Sequence, residues 1–220
     1  MMPLAPAAPT SLVDQAIEGM RVLLASGEWT LGTRIPPEPA LAADLGVSRN
    51  TVREAVKALA HVGVLEVRRG DGTYVAATTE VQALMRRQAE RVEIEHLLEV
   101  RHAIEVRAAA LAAGRRTDAD LGALDAIAAR RLDALDAGDG AGFVDADVAF
   151  HVAVVAAAHN PLLSELYDGL VETLRASIDD PMQGFPPMHA EHDAILEAIR
   201  RGDAAAAAAA SAELLDHVTR

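Results

Sequence analysis

Two groups of residues in this chain carry chemistry. The first is the run Ser48-Arg49-Asn50-Thr51, with Arg53 two residues further on. Arginine can form a two-pronged hydrogen bond to guanine, and Asn and Thr can bond to bases or phosphates. The start of a helix also favours a phosphate. The second group is scattered along the chain and consists of Asp147, His151, His192 and His217, with Arg101 nearby in type. Asp147 and His151 are spaced i and i+4 within the stripe Val144, Asp147, His151, Val155, so on a helix both reach one ion. His192 shares a stripe with Met188, Ile195 and Ile199, and His217 lies with Leu214 and Val218. Four inward residues with nitrogen or oxygen donors suit a divalent metal such as zinc, nickel or manganese. A lone histidine on an apolar stripe is more often a satisfied core residue than a ligand. His189, close to one turn before His192, competes for the same role. Arg101 falls on the stripe Ile94, Leu97, Ile104, Ala108, Leu111 and needs a partner if buried. That partner is either Glu105 on the next turn or the carboxylate of a small ligand.

The elements that must position these residues follow from composition and periodicity. The chain has 220 residues, enough for two domains. It is 51% hydrophobic but only 3% aromatic, so its cores are expected to be built from Ala, Leu, Val and Ile in helices. It has no cysteine, which excludes disulfides, thiolate nucleophiles and Cys-based zinc sites and fits a reducing cytoplasm. The first ten residues lack the features of a signal peptide and read as a disordered tail. No apolar run is expected to reach the roughly 18 residues of a membrane span.

The net charge of −13 argues against nucleic acid until its distribution is considered. Residues 1–77 hold 7 Lys+Arg and 8 Asp+Glu, a net of −1, and residues 78–220 hold 13 and 25, a net of −12. A local arginine cluster in the near-neutral part suffices to contact phosphates.

Residues 11–77 read as a winged helix-turn-helix. Ser11 with Asp14 caps a first helix that ends at Gly27. A turn over residues 31–37 leads to a short helix from Glu38 to Leu45. Gly46 breaks it, and Ser48 caps a second helix to about His61. Arg69-Gly70-Asp71-Gly72 between Leu65-Glu66-Val67-Arg68 and Thr73-Tyr74-Val75 reads as a hairpin. Residues 78–220 read as all-helical, with helices near 82–90, 93–114, 117–137, 141–158, 161–179, 187–201 and 203–219.

Leu-Gly-Val-Ser-Arg-Asn-Thr-Val-Arg-Glu-Ala-Val at 45–56, followed by Leu59, Gly63 and Gly70-Asp71-Gly72-Thr73-Tyr74-Val75, resembles the GntR family of regulators over residues 12–75. The resemblance implies that Arg49 and Arg53 contact DNA and that the wing tip at Arg69-Gly70 enters the minor groove. Pro39 stands where many members carry a DNA-contacting arginine, and Arg34 is the candidate to compensate. Arg101-x-x-x-Glu105, Asp147-x-x-Phe150-His151, Asn160 and His192-x-x-Ile195-x-x-Ala198-Ile199-x-x-Gly202-Asp203 resemble the FCD ligand-binding domain of the FadR-like branch. In its metal-binding members, one Asp and three His at the places of Asp147, His151, His192 and His217 hold a metal that helps bind a small carboxylic acid.

The expectation is a cytoplasmic homodimeric regulator, more a repressor than an activator. Its partners would be double-stranded operator DNA and a carboxylate metabolite held near Arg101, with no membrane. One rival is a helical metalloenzyme with Glu105 or Asp145 as acid or base, but no catalytic motif surrounds them and the winged half has no role in it. The other is a DNA binder without effector, against which the inward Arg101 and histidine set argue, because buried polar groups are costly unless partnered.

Overall fold

The computed structural model describes residues 11–176 and 189–218. The expected disordered tail, the end of the helix read to 179, and Met188 lie outside the described residues. The chain divides into two compact units, residues 1–84 and 85–220.

In the first unit, α1 (Leu12–Ala25), α2 (Glu38–Asp44) and α3 (Arg49–His61) precede a two-stranded antiparallel sheet of β1 (Leu65–Arg68) and β2 (Gly72–Val75). The Ser11 Oγ accepts the Asp14 N–H at 3.0 Å, and the Ser48 Oγ accepts the Thr51 N–H at 3.1 Å, so both helices start at their capping serines. Gly46, at φ +66°, makes the turn between α2 and α3 in the left-handed region that glycine tolerates best. Met20, Trp29, Val52, Leu59 and Val64 fill the core between α1, α3 and the wing. They bury one face of α3 and leave Arg49, Asn50 and Arg53 outside.

The wing differs in detail from the sequence reading. The chain reverses over residues 69–71, with Gly70 at φ +79°, and the Asp71 N–H donates to the Arg68 carbonyl at 3.1 Å. Gly72 is the first residue of β2, opposite Arg68, and not part of the turn. The segment read as a plain turn also pairs with β2. The Ile35 N–H donates to Thr73 O and the Val75 N–H donates to Thr33 O, both at 2.9 Å. Periodicity cannot reveal such pairing in a segment this short.

The second unit is helical. After α4 (Glu80–Ala89), which spans the division between units, come α5 (Ile94–Arg115), α6 (Asp118–Asp136), α7 (Gly140–Ala157), α8 (Pro161–Ala176), α9 (His189–Arg201) and α10 (Ala204–Val218). Small residues, among them Ala108, Ala109, Ala112 and Ala157, let the helices approach closely, and among the described residues of this unit the aromatics Phe143, Phe150 and Tyr167 are fully buried. The architecture is mainly helical, a winged helix-turn-helix followed by a helical bundle, as the pattern of caps and periods indicated.

One expectation is corrected. By length and composition, α7 is apolar enough to cross a membrane. Half of it is buried in the protein, and Asp147 and His151 sit within it, buried among the other helices. A charged, partnered core helix accounts for it.

Helix α6 begins with a reciprocal cap. The Asp120 N–H donates to Thr117 Oγ1 at 3.2 Å and the Thr117 N–H donates to Asp120 Oδ2 at 2.7 Å. Thr117→Ala is expected to cost about 1 kcal/mol of stability, read from the urea midpoint. An unchanged midpoint would show that tertiary packing alone fixes the start of α6.

Candidate metal centre and nucleic-acid interface

The polar residues of the second unit converge on one buried cluster. Helix α5 brings Arg101 and Glu105, one turn apart on its inner face, and α7 brings Asp147 and His151 in the same relation. Helix α6 brings Arg131, α8 brings Tyr167 and α9 brings His192, and each of these seven residues is 6% exposed or less.

Glu105 is the hub of one half. Its Oε1 accepts from Arg101 Nε at 2.5 Å and from the Tyr167 hydroxyl at 2.6 Å, and its Oε2 lies 2.7 Å from His151 Nδ1. Burial pushes the Glu105 carboxyl up, but Arg101, His151 and the Tyr167 hydroxyl outweigh it and hold the group at about 2. Burial likewise opposes the charge on Arg101, and the facing Glu105 keeps it protonated. The proton of a neutral His151 belongs on Nδ1, facing Glu105, which leaves the Nε2 lone pair on the side of Asp147.

Asp147 is the hub of the other half. Its Oδ1 accepts from Arg131 Nε at 2.7 Å and stands 3.1 Å from His192 Nε2, while its Oδ2 is 3.8 Å from His151 Nε2. Burial raises the Asp147 carboxyl, and its contact with His192 together with the charges around it pull it below the usual carboxylate range. Burial lowers His192 and so favours the neutral ring. Phe150 packs edge-on against both imidazoles, with ring centroids 5.8 Å from His151 and 5.1 Å from His192.

Asp147, His151 and His192 each offer a donor atom, and the three atoms lie within 4.8 Å of one another. This is the donor chemistry of a divalent transition-metal site. The fourth expected ligand is not in the group. His217 is exposed near the end of α10, whose buried side is carried by Ala207, Ser211, Leu214 and Leu215. The helical phase of Leu214 was legible, but His217 falls on the flank of that stripe. The side chain of His189 lies outside the described residues. Arg101 takes the partner inside the protein, Glu105. Sequence reasoning missed Arg131 because Arg130-Arg131 reads as a solvated pair. The only hint was that Leu124 and Arg131, seven residues apart, share the inner face of α6.

In the first unit, Ser48, Arg49, Asn50 and Arg53 are exposed at the start of α3, with Thr51 half-buried beside them. Arg53 is held by Glu38 of α2, with Nη2 at 3.0 Å and Nε at 3.1 Å from Oε2. Arg68 pairs with Glu66 at 2.9 Å and stacks over the Tyr74 ring at 4.2 Å, while Arg69 and Gly70 stand exposed at the wing tip. Arg34 is exposed beside β2, bridged to Tyr74, and its side chain lies over Gly72, where a Cβ would collide with the guanidinium. Pro39 is exposed in the first turn of α2.

Comparison with known proteins agrees with both units. Residues 12–75 match the family "Bacterial regulatory proteins, gntR family", and residues 96–217 match the FCD domain. The chain is 32% identical over 214 residues to the HTH-type transcriptional regulator LutR of Bacillus subtilis, an overlap covering 90% of this chain and 93% of LutR. It is 28% identical to the galactonate operon transcriptional repressor of Escherichia coli, covering 94% and 95% of the two chains. It is 32% identical to the putative L-lactate dehydrogenase operon regulatory protein of Escherichia coli, covering 89% and 80%. Among solved structures, the GntR protein of Streptococcus agalactiae superposes with a TM-score of 0.63 at 30% identity, covering 94% of this chain and 99% of that one. These relatives are regulators, not enzymes. A winged helix-turn-helix with an arginine-bearing α3, joined in sequence to an FCD domain, places this chain in the GntR family of bacterial DNA-binding transcriptional regulators.

Proposed function

We propose that this regulator is a homodimeric, cytoplasmic repressor whose second unit binds a divalent metal and a small carboxylate, and that the carboxylate controls operator binding. The observation that carries the reading is the buried group Asp147, His151 and His192, whose donor atoms lie within 4.8 Å of one another. Zinc, nickel or manganese would be held by these three residues, with Glu105 orienting His151 from behind. A bound cation supplies a Lewis-acidic point to which a carboxylate coordinates. Two relatives are named for L-lactate dehydrogenase and galactonate operons, and lactate and galactonate are both hydroxy acids. A hydroxycarboxylate is therefore the effector class to test first.

On the DNA side, Ser48, Arg49, Asn50, Thr51 and Arg53 would meet the major groove, and Arg69-Gly70 the minor groove. Arg34, beside β2 of the wing, would stand in for the arginine that Pro39 replaces. Two such units in a dimer would read two half-sites of a short palindrome.

The test is metal analysis of the purified protein, followed by titration of the operator complex with lactate, galactonate and propionate. Release by the hydroxy acids but not by propionate is the expected result, and release by none of them would sink the effector reading. His192→Ala is expected to lower metal content. It is also expected to remove the stabilisation that free metal at 100 times its Kd confers, about 3 kcal/mol. A wild-type melting temperature indifferent to all three metals would leave the cluster purely structural.

Arg101 can serve an effector carboxylate only by sharing its guanidinium with Glu105. If it does, Arg101→Lys keeps the charge, loses the fork geometry, and weakens ligand affinity at nearly unchanged melting temperature. A lowered melting temperature with intact affinity would assign Arg101 to the ion pair alone.

A further inference from the structure

Asp147 already has a cation. Arg131, 3% exposed on α6, places Nε 2.7 Å from Asp147 Oδ1, and its guanidinium lies 4.6 Å from the centroid of the Phe143 ring. The same oxygen is the one nearest His192 Nε2, at 3.1 Å. Metal ligation requires neutral imidazoles. With them, and among the described residues, the cluster holds two guanidinium groups, Arg101 and Arg131, against two carboxylates, Glu105 and Asp147, so these four charges balance. A divalent ion bound at Asp147 would add two positive charges to a buried site in which each carboxylate has its arginine. It would also stand beside a guanidinium that uses the same carboxylate oxygen, and cations packed this closely away from water repel strongly.

We propose that Arg131 is the resident cation of this site and that a divalent metal reaches Asp147 only by exchange with it. Arg131 then sets the metal affinity of the domain. The exchange also makes metal loading and carboxylate binding mutually supportive. With Arg131 withdrawn and the metal in place, Arg101 and the metal exceed Glu105 and Asp147 by one positive charge. A single carboxylate from the effector cancels that excess. The inference rests on the metal reading given above, but it concerns the arginine and can fail separately.

The test compares the full-length wild type with Arg131→Gln and Arg131→Lys. All three are stripped with chelator and titrated with zinc and with manganese against a chelating indicator, alongside thermal melts. Gln can still donate to Asp147 but carries no charge, and Lys keeps the charge. Arg131→Gln is expected to bind metal at least tenfold more tightly than wild type and to gain more thermal stability from it, with Arg131→Lys close to wild type. If wild type and Arg131→Gln bind metal equally, the exchange is overturned and the metal site stands. If only Arg131→Gln binds metal, the exchange holds and the wild type is not a metalloprotein under those conditions. If neither binds, both ideas fall. Should Arg131→Gln be unfolded when stripped, refolding by metal supports the exchange and failure of any metal to refold it overturns it.

Discussion

Glu105→Ala is expected to destabilise the second unit by about 3–5 kcal/mol, the range for removing one partner from a buried ion pair. The loss comes from three groups at once. Arg101 would keep a charge with no carboxylate opposite, the Tyr167 hydroxyl would lose its acceptor, and His151 would lose the contact that fixes its ring. Urea denaturation followed by helical circular dichroism measures it, and a loss below about 1 kcal/mol would mean that water or a neighbour replaces the carboxylate. The same residue predicts a pH signature. Glu105 is held at about 2, below its ordinary 4.5, so the folded form gains from its ionisation. That gain is fully present above about pH 4.5 and drains away as the pH falls toward 2. Glu105→Gln should therefore flatten the acid limb of the stability profile, and an acid limb unchanged in that variant would assign the loss to other carboxylates.

Arg49→Ala is expected to weaken operator binding by about 1–3 kcal/mol if the lost contact is a two-pronged one to a base. Arg53→Ala should cost less than Arg49→Ala for an equivalent contact, because Arg53 must first leave Glu38, an interaction the free protein enjoys and the complex forgoes. Fluorescence anisotropy with a fixed operator, repeated at several salt concentrations, separates the cases. A base contact lowers affinity for the operator more than for random DNA. A phosphate contact lowers both and reduces the salt slope by about 1. Unchanged binding in both variants would remove α3 from the interface.

The sequence was most legible where a local rule acts alone. The serine caps of α1 and α3 and the helical period of residues 94–115 each follow from neighbours within a few positions. The inward direction of Arg101, Asp147, His151 and His192 was equally readable, since each interrupts an apolar stripe. Convergence was not, because it depends on how five helices cross. Arg131 shows the limit. Beside Arg130 its type suggests water, and only the depth of α6 at that turn makes it a core residue. His217 is the opposite case, a ligand-type residue on the flank of a buried stripe that the end of the helix leaves outside. The pairing of residues 33–35 with β2 was hidden because it is made by backbone atoms, which carry no residue signature.

The buried cluster draws its members from α5, α6, α7, α8 and α9, and each supplies a group that another helix satisfies. No one of the five can peel away without stranding a charge or a hydroxyl on those that remain. Opening in part is therefore nearly as costly as opening entirely, unlike a purely apolar core, where a peripheral helix can fray and leave only exposed methyl groups. Amide protons near Glu105, Arg131, Asp147 and His192 should exchange with solvent together, at one common rate of global unfolding, while the capped but outlying turns of α6 exchange sooner. Such a domain is expected to open and close as a single block of five helices.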